Sequence, residues 1–210
     1  MAGVAHARAQ GIDVLITDHH LAGIELPNAN VIVNPNLASS KFGSRSLAGV
    51  GVAFYVMAAV RRRLDAENLT PPGAPNVAEF LDLVALGTVA DVVPLDCNNR
   101  VLVSQGLRRI RAGRCVAGIT ALLTLSNRRT NDLTAADLAF AVAPRLNAAG
   151  RMDDMTIGIQ CLLSDDPTTA QMLAARLDQL NQERRETDAR MQVEALAAFA
   201  RLRDTVPRAV

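Results

Sequence analysis

Tryptophan is absent and aromatic residues of any kind make up 3% of the chain, so a stacking platform for bases, which needs aromatic faces, is not visible. Lysine is nearly absent too, Lys41 being the sole one; the positive charge is carried by arginine, whose planar fork suits phosphate and carboxylate, although base composition is the simpler account of such a bias. Charge of one sign does not dominate: the formal net charge is +1, which excludes a strong global field towards nucleic acid or membrane. Cys97, Cys115 and Cys161 are odd in number, widely spaced and never arranged as C-x-x-C, which argues against a disulfide framework or zinc ribbon and suits a reducing cytosol. The longest apolar run, LAGVGVAFYVMAAV at 47–60, is too short to span a bilayer and ends in Arg61-Arg62-Arg63. It reads as a buried helix whose basic end suits its dipole. MAGVAHARAQG lacks the apolar core of a signal peptide, and a cytoplasmic protein with no membrane association is expected.

What is present is a concentration of rare groups. Histidine occurs three times, and two of the three stand together in VLITDHHLAG, residues 14–23, straight after an apolar β-branched run. DVLIT (13–17) and NVIV (30–33) read as buried strands, Asn34-Pro35-Asn36 as a turn. Helices are expected at 2–9, 47–63 (capped by Ser44 or Ser46), 77–86, about 98–111, 117–126, 134–142, and from Pro167 past 200 with Asp166 as cap. GTVADVVPLDCNN and residues 143–154 read as loops. The long helix is polar on nearly every face over 181–190, as in a helix that bridges two bodies through solvent. The fold class is therefore α/β: two parallel strands, a mostly helical remainder and a long C-terminal helix. Two strands do not make a stable sheet, so their neighbours are expected before Met1, and an exposed apolar edge is expected to promote self-association.

In open parallel sheets ligands bind beyond the carboxyl ends of the strands, where Asp18, His19 and His20 fall. Alternation prevents all three from facing one site unless the strand turns there. The simplest arrangement puts one imidazole on a metal, the other towards substrate or a second metal, and Asp18 on a ring nitrogen; a chance exposed pair beside a capping aspartate is the plain alternative. Asp91 sits alone in the apolar run of LVALGTVADVVPLDCNNR (83–100), where a buried carboxylate is costly unless hydrogen-bonded at a turn or bound to a cation. Asp96 has easier surroundings as a cap. In APRLNAAGRMDD, Arg145, Asn147 and Arg151 could clamp phosphate or could be surface residues of a connecting loop.

LITDHH, NVIVNPNL, SLAGVGVAF, LVALGTVADVVPLDCNNR and PRLNAAGRMDD, in that order, resemble the single-strand-specific DNA exonucleases of the DHH phosphoesterase superfamily, named for the triplet at 18–20. The resemblance implies a Rossmann-like sheet carrying two divalent cations, Mn²⁺ or Mg²⁺, and hydrolysis of single-stranded DNA from its 5′ end in recombination and repair. It implies His19, His20 and Asp91 as metal ligands. Asp18 becomes the residue that orients the motif, and Arg145, Asn147 and Arg151 contacts near the DNA. Residues 1–165 would be a partial DHH domain and 166–210 the start of an interdomain helix. The acidic motifs that the family carries before the triplet have no counterpart in residues 1–17, so a chain truncated at both ends, with an incomplete site and no activity of its own, is expected. Other readings are a DHH phosphodiesterase acting on short oligonucleotides or cyclic dinucleotides, and a non-catalytic helical interaction module.

Overall fold

Backbone hydrogen bonding and apolar spacing generate two short strands and nine α-helices in the computed structural model, which describes residues 1–152 and 154–202. Helix α1 (Ala2–Ala9) stops at Gly11, whose φ of 75° ends the turn, and the chain enters β1 (Leu15–Thr17). β1 pairs in parallel with β2 (Val31–Val33), in the register Leu15–Val31, Ile16–Ile32, Thr17–Val33. Neither strand is buried as its sequence suggests: Leu15 and Val31 are more than half exposed, because the sheet has only these two strands among the described residues and its outer face is uncovered.

Helix α2 (Gly49–Ala66) covers the inner side. It starts two residues later than expected, with Ala48 as N-cap and no side-chain cap; Ser44 and Ser46 are used elsewhere. A single 3₁₀ turn at Val77–Phe80, capped by Asn76, leads into α3 (Leu81–Ala90). This helix runs four residues beyond the expected end at 86, since Gly87 and Thr88 pack inside it instead of opening a loop. Asp96 caps α4 (Cys97–Arg111) by accepting the Asn99 N–H at 2.9 Å. α3 and α4 approach closely because Gly106 has no side chain; a Cβ there would overlap the Leu81 carbonyl oxygen. Leu47, Val52, Val84 and Leu102 form the core, flanked by Val33, Val50, Phe54 and Leu81. The buried carboxylate of this region is Asp82, accepting N–H groups from Leu83 (2.8 Å) and Val116 (2.9 Å).

The chain's contacts divide it into two units, residues 1–116 with 128–143, and residues 117–127 with the described part of 144–210. The first ends with α6 (Ala135–Asp137), whose capping box joins Thr134 and Asp137, and a π-helical turn at Leu138–Val142. The second contains α5 (Ala117–Leu125), α7 (Ala143–Met152, from Pro144 onward), α8 (Thr156–Leu163) and α9 (Pro167–Leu202). The stretch expected as a loop at 143–154 is thus helical to Met152, with Pro144 two residues after the π-helical turn at Leu138–Val142. Asp153 lies outside the described residues. Helix α8 has no counterpart in the sequence reading. Ile119, Leu122, Cys161, Ala174 and Leu177 are fully buried in this unit, and Gly118 lets α5 meet the Cys161 carbonyl. α9 packs on α5 and α8 through its first half. From Asp188 to Ala200 every residue is exposed.

Candidate metal centre

The parallel ladder brings the ends of β1 and β2 together. The Asp18 N–H still bonds the Val33 carbonyl at 3.0 Å, after which the chain turns away from the sheet. That turn resolves the alternation problem of three consecutive polar residues. Asp18 stays under the loop and accepts N–H groups from His19 (2.7 Å) and His20 (3.2 Å) through one oxygen. The same oxygen lies 2.8 Å from His20 Nδ1, which donates to it; in the neutral ring this pairing leaves the Nε2 lone pair for a metal. The hydrogen bond from His20 holds the Asp18 carboxyl below the usual carboxylate range, assisted by the two backbone N–H groups against the cost of burial.

The Asn-Pro-Asn turn after β2 is more than a turn. Asn34 is buried and donates to the His20 carbonyl (2.9 Å) and to the second Asp18 oxygen (3.4 Å); Asn36 donates to the His19 carbonyl (2.7 Å). Two asparagines placed at the end of the neighbouring parallel strand were the available signal for this role.

His19 points the other way. Its ring is 18% exposed, and Nε2 stands 3.4 Å from Oδ2 of Asp91. Gly49, the first residue of α2, lies beside the ring: a methyl group there would stand 3.5 Å from Cδ2, an ordinary van der Waals contact. Asp91 is not buried in an apolar run; its side chain is 40% exposed at the C-cap of α3, because the helix ends there and turns the carboxylate out towards His19. The turn is made by Val92, with φ of 57°. A β-branched residue in the left-handed region costs on the order of 1–3 kcal/mol, and glycine is the usual choice at this helix position.

A polar clamp secures the loop that follows. Asn99, fully buried, donates to the carbonyls of Ser46 (2.6 Å) and Pro94 (2.9 Å). The Ser44 hydroxyl donates to Asp96 at 2.6 Å, and Tyr55 donates to Asn98 at 2.5 Å. Ser44 therefore joins the loop before α2 to the start of α4 instead of capping α2. The Asn99 N–H, with Ser44, keeps Asp96 below the usual carboxylate range. The clamp ties the segment leading to Gly49 to the one following Asp91, so both walls around His19 are fixed together.

The donor set suits a divalent cation. Ligand atoms each about 2.0–2.2 Å from one metal stand roughly 3 Å apart when adjacent, near the 3.4 Å between His19 and Asp91. Imidazole with carboxylate suits Mn²⁺ better than Mg²⁺. The set is incomplete: among the described residues no group of three His, Cys, Asp or Glu side chains converges on one cation position.

The remaining candidates lie in the second unit, on α7 instead of a loop. Arg145 is 2.8 Å from Asp178 of α9 in a largely buried ion pair, which anchors α7 on α9. Asn147 and Arg151 are exposed.

The sequence matches the DHH family, N-terminal domain, over residues 1–88. It is 58% identical over 207 residues to the single-stranded-DNA-specific exonuclease RecJ of Salmonella typhimurium, covering 96% of this chain and 35% of that protein. Escherichia coli RecJ is 56% identical, with 98% of this chain and 37% of its own length covered. Among solved structures, exonuclease RecJ bound to manganese matches with a TM-score of 0.79 at 34% identity, over 94% of this chain and 47% of that one. RecJ from Thermus thermophilus in complex with Mg²⁺ matches with a TM-score of 0.71 at 35% identity, over 88% of this chain and 26% of that one. The motifs, the fold and these relatives agree: residues 1–88 belong to the DHH family's N-terminal domain, and the chain as a whole is similar to RecJ and spans about a third of the length of the curated relatives it matches.

Proposed function

We propose that this chain is the metal-binding portion of a cytoplasmic exonuclease that hydrolyses single-stranded DNA from the 5′ end in recombination and repair. The observation that carries the reading is the approach of His19 Nε2 to the Asp91 carboxylate, from segments 72 residues apart, in a RecJ-type chain. His19 and Asp91 hold a Mn²⁺ or Mg²⁺ ion, with His20 Nε2 as a further donor on the substrate side. Such a cation activates water and neutralises charge developing on phosphate oxygen. The chain's own residues do the positioning: Asp18 fixes the His20 tautomer, Asn34 and Asn36 hold both histidine carbonyls, and the Asn99 clamp sets the Asp91 loop. Asn147 and Arg151, exposed on α7, contact DNA, while Arg145 holds α7 in place. Residues 1–165 act as the partial DHH domain and 166–210 as the start of an interdomain helix. With two converging donors instead of a full set, the 210-residue chain is itself inactive as a nuclease, and its uncovered sheet edge makes it self-associate.

Calorimetric titration with Mn²⁺ tests the reading. Micromolar binding to the wild-type chain is expected, weakened at least about tenfold in both His19→Ala and Asp91→Ala. Equal affinity in all three proteins would remove the proposed site.

A further inference from the structure

We infer that Val92 is a substrate-contacting residue beside this centre, its side chain providing an apolar surface for the nucleoside part of a nucleotide whose phosphate reaches His19 and Asp91. The inference rests on the metal-dependent reading above and adds to it the residue that touches the organic part of the substrate.

Backbone and exposure carry it separately. Among the described non-glycine residues with positive φ, the other two are Asn68 and Asn127, a residue type that tolerates this conformation; the third is Val92, a β-branched type that does not. Glycine would make the same turn without strain. The turn therefore does not require an isopropyl group. Nor does packing: Val92 is 86% exposed, so burial of its side chain does not offset the cost. An unfavourable backbone conformation that presents an apolar side chain to solvent points to use outside the fold.

Location supplies the chemistry. Val92 follows Asp91 directly, about 3.8 Å away between Cα atoms. A phosphate held by a cation on His19 and Asp91 thus lies one residue along the chain from this exposed side chain. The groups at the metal centre, His19, His20 and Asp91, are polar, and Val92 adds an exposed apolar side chain directly after Asp91. The clamp through Asn99 and Asp96 fixes the loop before any ligand arrives, and a contact surface already in place loses less entropy on binding. An aliphatic group makes no hydrogen bonds, so the contact discriminates nucleotide from free phosphate, not one base from another.

The test uses the 210-residue chain loaded with Mn²⁺, with deoxythymidine 5′-monophosphate and inorganic phosphate as probes, comparing wild type, Val92→Gly and Val92→Ile by calorimetry and thermal melting. Val92→Gly should melt higher than wild type and keep its Mn²⁺ and phosphate affinities, while nucleotide affinity falls by about fivefold, the scale of one to two lost methylene contacts. Val92→Ile should retain nucleotide affinity. Nucleotide affinity that is absent, unchanged in Val92→Gly, or reduced in parallel with phosphate affinity overturns the inference. Absence of Mn²⁺ binding in the wild type overturns the functional reading itself, and the role of Val92 with it.

Discussion

At the scale of single residues, the site depends on how amides restrain histidines. Asn34 is buried with its amide on the His20 carbonyl and Asp18, so removing it leaves a backbone acceptor without its partner and frees one carboxylate oxygen. Asn34→Ala should cost about 1–3 kcal/mol of stability and weaken Mn²⁺ binding about tenfold, as loss of a group that orients metal ligands commonly does. Chemical denaturation and calorimetry check both numbers; an unaltered Mn²⁺ affinity would show that Asp18 alone orients the pair. His19, His20 and Asp18 were legible because rare residue types stood at the end of a recognisable strand. Asn34 and Asn36 were readable as a turn but not as a brace, since their partners lie 14 to 17 positions earlier and only the parallel register brings them close. Asp91 was singled out on a mistaken premise: it is exposed, and the buried carboxylate is Asp82, one residue before that apolar run, paired with backbone N–H donors.

At the scale of elements, four aspartates hydrogen-bond to the first turns of helices, and those bonds hold each below its ordinary pKa of 3.8. The causes are the Asn99 N–H and Ser44 for Asp96, the Thr134 hydroxyl and N–H for Asp137, the Thr156 N–H and hydroxyl for Asp154, and the Thr169 hydroxyl and N–H for Asp166. A depressed carboxylate contributes stability that is complete above the unfolded value and disappears as pH falls through the folded one. The urea midpoint should therefore hold steady from neutrality down towards 3.8 and fall below it. In Asp96→Asn, which keeps a capping oxygen without the charge, the fall should be shallower; parallel curves for the two proteins would exclude Asp96 as a contributor. Most helices and two of these caps were visible in sequence, because periodicity and capping are local. The α3 and α7 boundaries were not. Gly87 and Gly150 look like breaks in a one-dimensional pattern, yet both sit inside helices, Gly87 because it passes against Val50 of α2.

At the scale of the whole molecule, apolar surface is left over where the sheet is widest open. Ile12, Leu15 and Val31 are each at least half exposed, and the paired register puts Leu15 beside Val31 on one face. On the inner side an apolar groove of about 650 Å³ runs between β2 and α2, lined by Ile32, Leu47, Tyr55 and Val56. Parallel sheets are ordinarily covered on both faces, and an uncovered edge presents unpaired N–H and C=O groups to any chain that can align with it. The expected result is concentration-dependent association of the 210-residue chain across the micromolar range, followed by sedimentation velocity. Leu15→Lys combined with Val31→Lys places two charges on the open face and should shift the equilibrium towards monomer. The same pair should leave Mn²⁺ binding intact, because both side chains are more than half exposed and stand at the starts of strands whose far ends carry the site. A wild-type chain that sediments as a monomer throughout that range would mean the exposed edge is tolerated in solution, and that the short strands with their charged neighbours are enough to keep it unpaired.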